Sequence, residues 1–248
     1  MTNKISVTDL IQFLEHVHLN GKVNQVLIEA KDGVLTAGFS TDSRDLIGYV
    51  SSQSFPFISN CKFAILDVAL LLKMCRIFSK DATWQLNQKD SRVVSMTLYD
   101  NENQITYAFG ETAIIPKAPE LTQLPSMSFR FTITKEISSK IINATGIIDE
   151  DMLYIMYDSL MDNIEFIVGD QHSNSNKVVI KFKPQLASDS LPNEEIESIR
   201  FSSQFTRDVL YTTKTDKSVK GEVSGEGMLH FCSNDGKLQS NYYLIQQI

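Results

Sequence analysis

The chain is 248 residues long, too long for one typical domain and comfortable for two of about 120. Hydrophobic residues make up 42% and charged residues 21%, with 11 Gly and 6 Pro, which excludes disordered and collagen-like chains. A net charge of −7 argues, on average, against a nucleic-acid binder, because phosphate contacts need a basic footprint.

The first helical pattern runs from about Thr8 to Leu19, with Leu10, Phe13, Leu14 and Val17 at three- and four-residue spacing. Ser6 or Thr8 caps it and Asn20-Gly21 stops it. Strands follow at Val23–Glu29 and Val34–Phe39 around Lys31-Asp32-Gly33, where Asp-Gly between apolar runs signals a hairpin. Further strands fit Asp45–Ser51 and Lys62–Leu66. A second helix is predicted over Asp67–Ser79, with Val68, Leu71, Leu72, Cys75 and Phe78 on one side. Strands at Thr83–Asn87, Arg92–Tyr99 and Gln104–Phe109 close this half, and the single Trp84 reads as core. Pro116, Pro119 and Pro125 then fall within ten residues, which makes an extended connector. The reading places domains at 1–115 and 126–248, joined by the connector at 116–125.

The second half repeats the order. Ser128–Ile133 reads as a strand and Thr134–Ile147 as a helix with Ile137, Ile141, Ile142 and Thr145 as its stripe. Strands fit Met152–Tyr157, Asn163–Gly169 and Lys177–Lys183, followed by an acidic loop at about Ala187–Glu197. A strand at Ser198–Phe201 leads to a helix over Ser202–Thr213 with Phe205, Val209 and Leu210 apolar. A hairpin of Gly227–Ser233, Asn234-Asp235-Gly236 and Lys237–Ile245 closes the chain. Helix starts at residues 8 and 67, and again at 134 and 202, make this a repeat of pattern. The fold class expected is α+β: two similar domains, each with two helices on antiparallel sheets.

Charge is unevenly distributed. Generous helix segments at 4–22, 67–80, 134–148 and 202–220 hold eleven basic and six acidic residues, a balance of +5 that leaves −12 elsewhere. Lys73, Arg76 and Lys80 fall at i, i+3 and i+7, one stripe opposite Leu71, Leu72 and Cys75. Arg207 and Lys214 are likewise i and i+7, extended by Lys217 and Lys220, and Lys140 adds to the third helix. The alternative is an ordinary solvated helix face with Glu–Lys pairs at i,i+4.

Other motifs fail. No GxxxxGK[ST] phosphate loop is present, and Gly225-Glu-Gly227 reads as a turn. His16 and His18 point about 200° apart on a helix and cannot share a metal. His172 in a loop and His230 in a strand read as surface or internally satisfied histidines. No serine or cysteine lies in a nucleophile context. The acidic runs Asp149–Asp151 and Glu194–Glu197 read as solvated loop charge. No catalytic residue, metal or cofactor is therefore expected. Cys61, Cys75 and Cys232 form no CxxC pair, so a reducing, intracellular setting is the expectation. The N-terminus lacks the pattern of a signal peptide, and no apolar run reaches the roughly 20 residues that span a bilayer, so no membrane partner is expected.

Two similar α+β arms with basic-faced helices and a proline-rich connector resemble the DNA sliding clamps, closest to the phage-type and proliferating cell nuclear antigen groups. The hairpin and small-polar loop of Val26-Leu-Ile-Glu-Ala-Lys-Asp-Gly-Val-Leu-Thr-Ala-Gly-Phe-Ser-Thr-Asp-Ser-Arg44 carry the resemblance, with the Lys/Arg-striped helix Asp67–Lys80. Asn241-Tyr-Tyr-Leu-Ile245 looks like the Tyr-Tyr-Leu close of the nuclear antigen. The long acidic loop departs from the phage pattern. The resemblance implies a processivity factor whose helices line a ring around duplex DNA, held topologically and without sequence preference, with an acidic outside.

Geometry then selects the oligomer. Twelve helices at roughly 10 Å each make a circle about 38 Å across through their axes. Subtracting helix radii leaves a bore near 28 Å, against a duplex roughly 20 Å wide. Two subunits would leave only about 15 Å, so a pseudo-sixfold homotrimer is the smallest ring that works. By resemblance, Gln104–Phe109 of one subunit joins Lys177–Lys183 of the next. Implied partners are DNA polymerase and an ATP-dependent clamp loader. They would dock on Arg44, Leu46, Leu121, Leu124, Tyr243 and Ile245, residues that ordinary packing would explain equally well. Competing readings are a clamp-fold subunit of a hetero-oligomer or a monomeric relative in transcription or checkpoint signalling. A β-rich structural or binding protein unrelated to DNA, and an enzyme with a scattered site, are the others.

Overall fold

Asp32 and Gly33 both sit at positive φ (52° and 80°). They join β2 (Val26–Lys31) to β3 (Val34–Ser40) with Lys31 opposite Val34, the two-residue turn that Asp-Gly favours because its twist matches the strands. The computed structural model describes residues 5–55, 58–78, 81–148, 150–170, 176–184, 196–216 and 218–247. Around that hairpin the first half runs β1 (Ile5–Ser6), α1 (Val7–His18), β2, β3, β4 (Leu46–Ser52), β5 (Cys61–Ile65), α2 (Val68–Cys75), β6 (Thr83–Lys89), β7 (Arg92–Tyr99) and β8 (Gln104–Ala108). The second half runs β9 (Phe129–Ile133), α3 (Lys135–Ile147), β10 (Met152–Asp158), β11 (Asn163–Val168), β12 (Val178–Phe182), β13 (Ile196–Ser202), α4 (Ser203–Thr212), β14 (Val219–Ser224), β15 (Met228–Asn234) and β16 (Leu238–Ile245).

The order is the same in both: strand, helix, four strands, helix, three strands. Sheet order repeats too. β5-β2-β3-β4 and β1-β6-β7-β8 in the first half correspond to β13-β10-β11-β12 and β9-β14-β15-β16 in the second. The four α-helices among the described residues all start on a side-chain cap: Ser6, Asp67, Thr134 and Ser202 accept the N–H of Thr8, Leu70, Ile137 and Phe205.

Two compact units result, and each includes a short piece from the other half of the chain. The first is Met1–Thr41, Gly48–Pro119 and Gly236–Ser240; the second is Asp42–Ile47, Glu120–Asp235 and Asn241–Ile248. Within the first, Gln53 donates its N–H to Lys237 O at 2.9 Å; within the second, Ile245 donates to Asp45 O at 2.9 Å. The first core stacks Phe13, Phe55 and Trp84 edge to face, at 6.2 and 5.7 Å between ring centres. The second gathers Phe129, Phe131, Phe166, Phe201 and Phe231, all buried.

Three departures from the sequence reading have physical reasons. α2 stops at Cys75 with Arg76 as its C-cap, short of the predicted Ser79. The two-residue β1 is too short to show alternation, yet it pairs with β6 through Ile5–Trp84 and Ser6–Thr83. Most consequentially, residues up to 220 do not extend the last helix. α4 ends at Thr212, and Val219, Gly221 and Val223 point inward on β14 while Lys220 points out. Residues 116–127 form no helix or strand. Tyr49 donates its hydroxyl to Pro119 O, and a methyl on Gly38 would lie 3.0 Å from the Ala118 Cβ, so glycine lets the connector start lie against β3.

Candidate nucleic-acid interface

The solvent faces of the helices carry the candidate basic residues. On α2, Val68, Leu71, Leu72 and Cys75 face the core, leaving Lys73 exposed, with Arg76 at the helix end. On α3, Ile141, Ala144 and Thr145 face inward and Lys140 outward. Arg207 is half-buried on α4, and Lys214 lies just beyond its C-cap, its ammonium 3.6 Å from the centre of the Tyr211 ring. Lys80 and Lys217 lie outside the described residues. Lys220 is removed from the helical stripe: it sits on the solvent face of the β9-β14-β15-β16 sheet, opposite Cys232 and Thr132.

Correct helix bounds change the charge count. Within them the helices hold Lys73, Lys135, Lys140 and Arg207 against Asp9, Glu15, Glu136 and Asp208, a balance of zero. The excess of +5 came from flanking residues. Arg76 and Lys214 lie at helix C-terminal ends, where the dipole favours cations. α1 carries no Lys or Arg at all.

Several cations are also engaged. Arg76 binds Glu15 of α1 at 2.7 Å, and Lys140 binds Glu136 one turn earlier at 2.7 Å. The Lys140 hydrogen bond and charge hold the Glu136 carboxyl below its ordinary range. His18, beside this first pair, has its pKa lowered by burial and then by the Arg76 charge. The Glu136–Lys140 spacing was legible as an i,i+4 pair; Glu15 and Arg76 meet only through tertiary packing.

The candidate client residues all belong to the second unit or the segments it includes. Arg44 sits at φ 60° in the loop before β4. Leu46 is fully buried, so it anchors that loop and offers no surface to a partner. Leu124 and Ile245 are exposed, while Leu121 and Tyr243 are half-buried. The Ile245–Asp45 bond joins the chain end to the Arg44 loop.

Behind Tyr243 lies a row the sequence did not reveal, because cross-strand neighbours depend on register. Arg130 donates to Glu222 Oε1 at 2.6 Å, Glu222 Oε2 meets His230 Nδ1 at 2.9 Å, and His230 Nε2 meets Asn241 at 3.1 Å. The imidazole stacks on Tyr243 at 4.4 Å and 4°. His230 is thus internally satisfied. Burial alone would raise the Glu222 carboxyl, but hydrogen bonds from His230 and Arg130 outweigh it and hold it low. A depressed carboxyl stabilises the fold above its unfolded pKa, and that contribution disappears as pH falls through the folded value. Glu222→Gln is therefore expected to flatten the loss of thermal midpoint expected of the wild type below about pH 4; identical acid limbs in calorimetry would contradict this.

Burial raises all three thiols, Cys75 to about 12, which makes them poor nucleophiles. Among the described residues, no three His, Cys, Asp or Glu side chains group as metal ligands do.

Two ten-element α+β repeats, each with two helices and two runs of four antiparallel strands, define the sliding-clamp fold. The chain is similar to the proliferating cellular nuclear antigen of Entamoeba histolytica, at a TM-score of 0.77 and 11% identity, over 99% of this chain and 97% of that one. It is equally similar to the A. fulgidus nuclear antigen bound to the C-terminal region of FEN-1, at 0.78 and 12%, over 98% and 97%. By sequence, neither a family model nor a curated protein matches.

Proposed function

We propose that the chain is a DNA sliding clamp: a non-enzymatic ring that encircles duplex DNA inside the cell and tethers a polymerase to it. The observation that carries this is the near-complete overlap with the nuclear antigen fold, at 99% and 98% of the chain. The repeat itself supports ring closure. In both compact units the ends of β4 and β16 are hydrogen-bonded to each other. The strands that occupy those positions in the opposite repeats are β12 and β8, each paired on one side only among the described residues. β8 of one copy pairing with β12 of the next would close a homotrimer and hide both edges.

One face would then touch DNA through Lys73, Arg76, Lys140, Arg207 and Lys214, while Lys220 faces outward. Clients, the polymerase and an ATP-driven loader among them, would dock a short peptide on Arg44, Leu121, Leu124, Tyr243 and Ile245. The A. fulgidus neighbour is bound to the C-terminal region of FEN-1, which supports a peptide of that kind.

The test is polymerase extension on primed circular DNA with the clamp and its loader. Reversing Lys73, Arg76 and Arg207 together to Glu is expected to lower processive synthesis at least about tenfold while leaving the assembly mass unchanged, since phosphate contacts are lost and edges are not. Unchanged processivity would remove the DNA-facing assignment.

A further inference from the structure

Within their bounds the helices carry no net charge, and two of the four acids responsible are exposed glutamates paired with candidate DNA-facing cations. Glu15 and Glu136 are both exposed, and each holds one of the candidate phosphate-binding cations at 2.7 Å. Exposed ion pairs contribute little to stability, so the fold has little need of them. Their effect on an approaching polyanion is larger. Each carboxylate cancels one cation, repels the phosphate that would replace it, and removes one released counter-ion from the binding equilibrium. Lys73, by contrast, makes no ion pair among the described residues and remains exposed.

We propose that Glu15 and Glu136 are affinity-limiting residues, counter-anions that keep Arg76 and Lys140 from gripping the backbone so that a threaded duplex slides. The ring topology supplies retention, so tight phosphate contacts would add only friction. This rests on the clamp reading of the helix faces. It assigns the two glutamates a role opposite to that of the cations beside them.

Fluorescence anisotropy of a labelled 30-base-pair duplex, titrated with the intact protein across 50–200 mM salt, tests it. Glu15→Gln with Glu136→Gln is expected to bind more tightly at 50 mM and to show a salt slope steeper by about 0.9 per glutamate removed. That steepening amounts to roughly threefold more affinity lost per residue across the range. Mass and melting temperature should stay as in the wild type. Lys73→Glu serves as the reference and is expected to weaken binding. If Lys73→Glu weakens binding but the double variant leaves affinity and slope unchanged, the counter-anion role is overturned and the DNA-facing reading stands. If neither variant changes anything, the DNA-facing reading itself falls.

Discussion

For the proposed homotrimer, Ile147→Glu combined with Val179→Glu is expected to bring the native mass from about 84 kDa, three times 28.0, down to 28.0 kDa, and to abolish the processive synthesis proposed for it. Ile147 at the end of α3 is 77% exposed and Val179 on β12 is 40% exposed. Together with Lys140, Asn143, Ala144 and Val178, Ile180 and Lys181 of β12 they line an open groove of about 450 Å³ beside a strand that has a partner on one side only among the described residues. Exposed apolar side chains at such an edge need a partner strand or another cover. Two carboxylates placed among these apolar side chains would have to be desolvated when a partner strand covers the groove, even with Lys140 and Lys181 beside them, and that opposes association. An open or monomeric form has no topological hold on DNA, so processivity should vanish with the trimer. Light scattering after size exclusion reads the mass. A wild type of 28.0 kDa that still stimulates polymerase would point to a ring closed by its loader. A trimer that survives both glutamates would remove this edge as the joint.

The second large effect concerns the core of the second unit. Phe131→Ala is expected to cost about 3–5 kcal/mol, and Gly221→Ala about 1–3. Phe131 is buried with its ring centre 5.7 Å from Phe166 and 5.8 Å from Phe182, both edge on. Its strand neighbour directly opposite is Gly221, where an added Cβ would lie 2.3 Å from the phenyl ring. The ring therefore occupies the space that a side chain on β14 would take. Removing the ring leaves a cavity; adding the methyl overfills the same place. Gly221→Ala combined with Phe131→Leu should then cost less than the sum of the two changes, a coupling that a double-mutant cycle in urea would measure. Strict additivity would show that the pair does not share this space.

Element type was legible wherever period and punctuation agreed. Asp32-Gly33, the caps at Asp67, Thr134 and Ser202, and the alternation of Met152–Tyr157 each carry their cause locally. β14 was hidden because Lys214 and Lys220 look like a helical stripe, while the alternation of Val219, Gly221 and Val223 has a glycine where a large apolar residue would have signalled it. The client residues were only partly legible. Leu46 and Ile245 are both apolar and close to loops, and only tertiary burial separates the inward anchor from the exposed one. The basic face suffered most, since a few residues of helix boundary moved its balance from +5 to zero.

The segments at 42–47 and 236–240, each part of the compact unit built mainly from the other half of the chain, bear on how such a molecule can be divided. A break between Pro119 and Glu120 would yield two polypeptides, and each would carry off a piece that the other's globule is built around. Neither fragment is a self-sufficient module, yet the pair holds every piece that both globules need. Co-expressed halves should reassemble where separate ones fail, which makes the proline-rich stretch a natural place to split the protein into complementing parts.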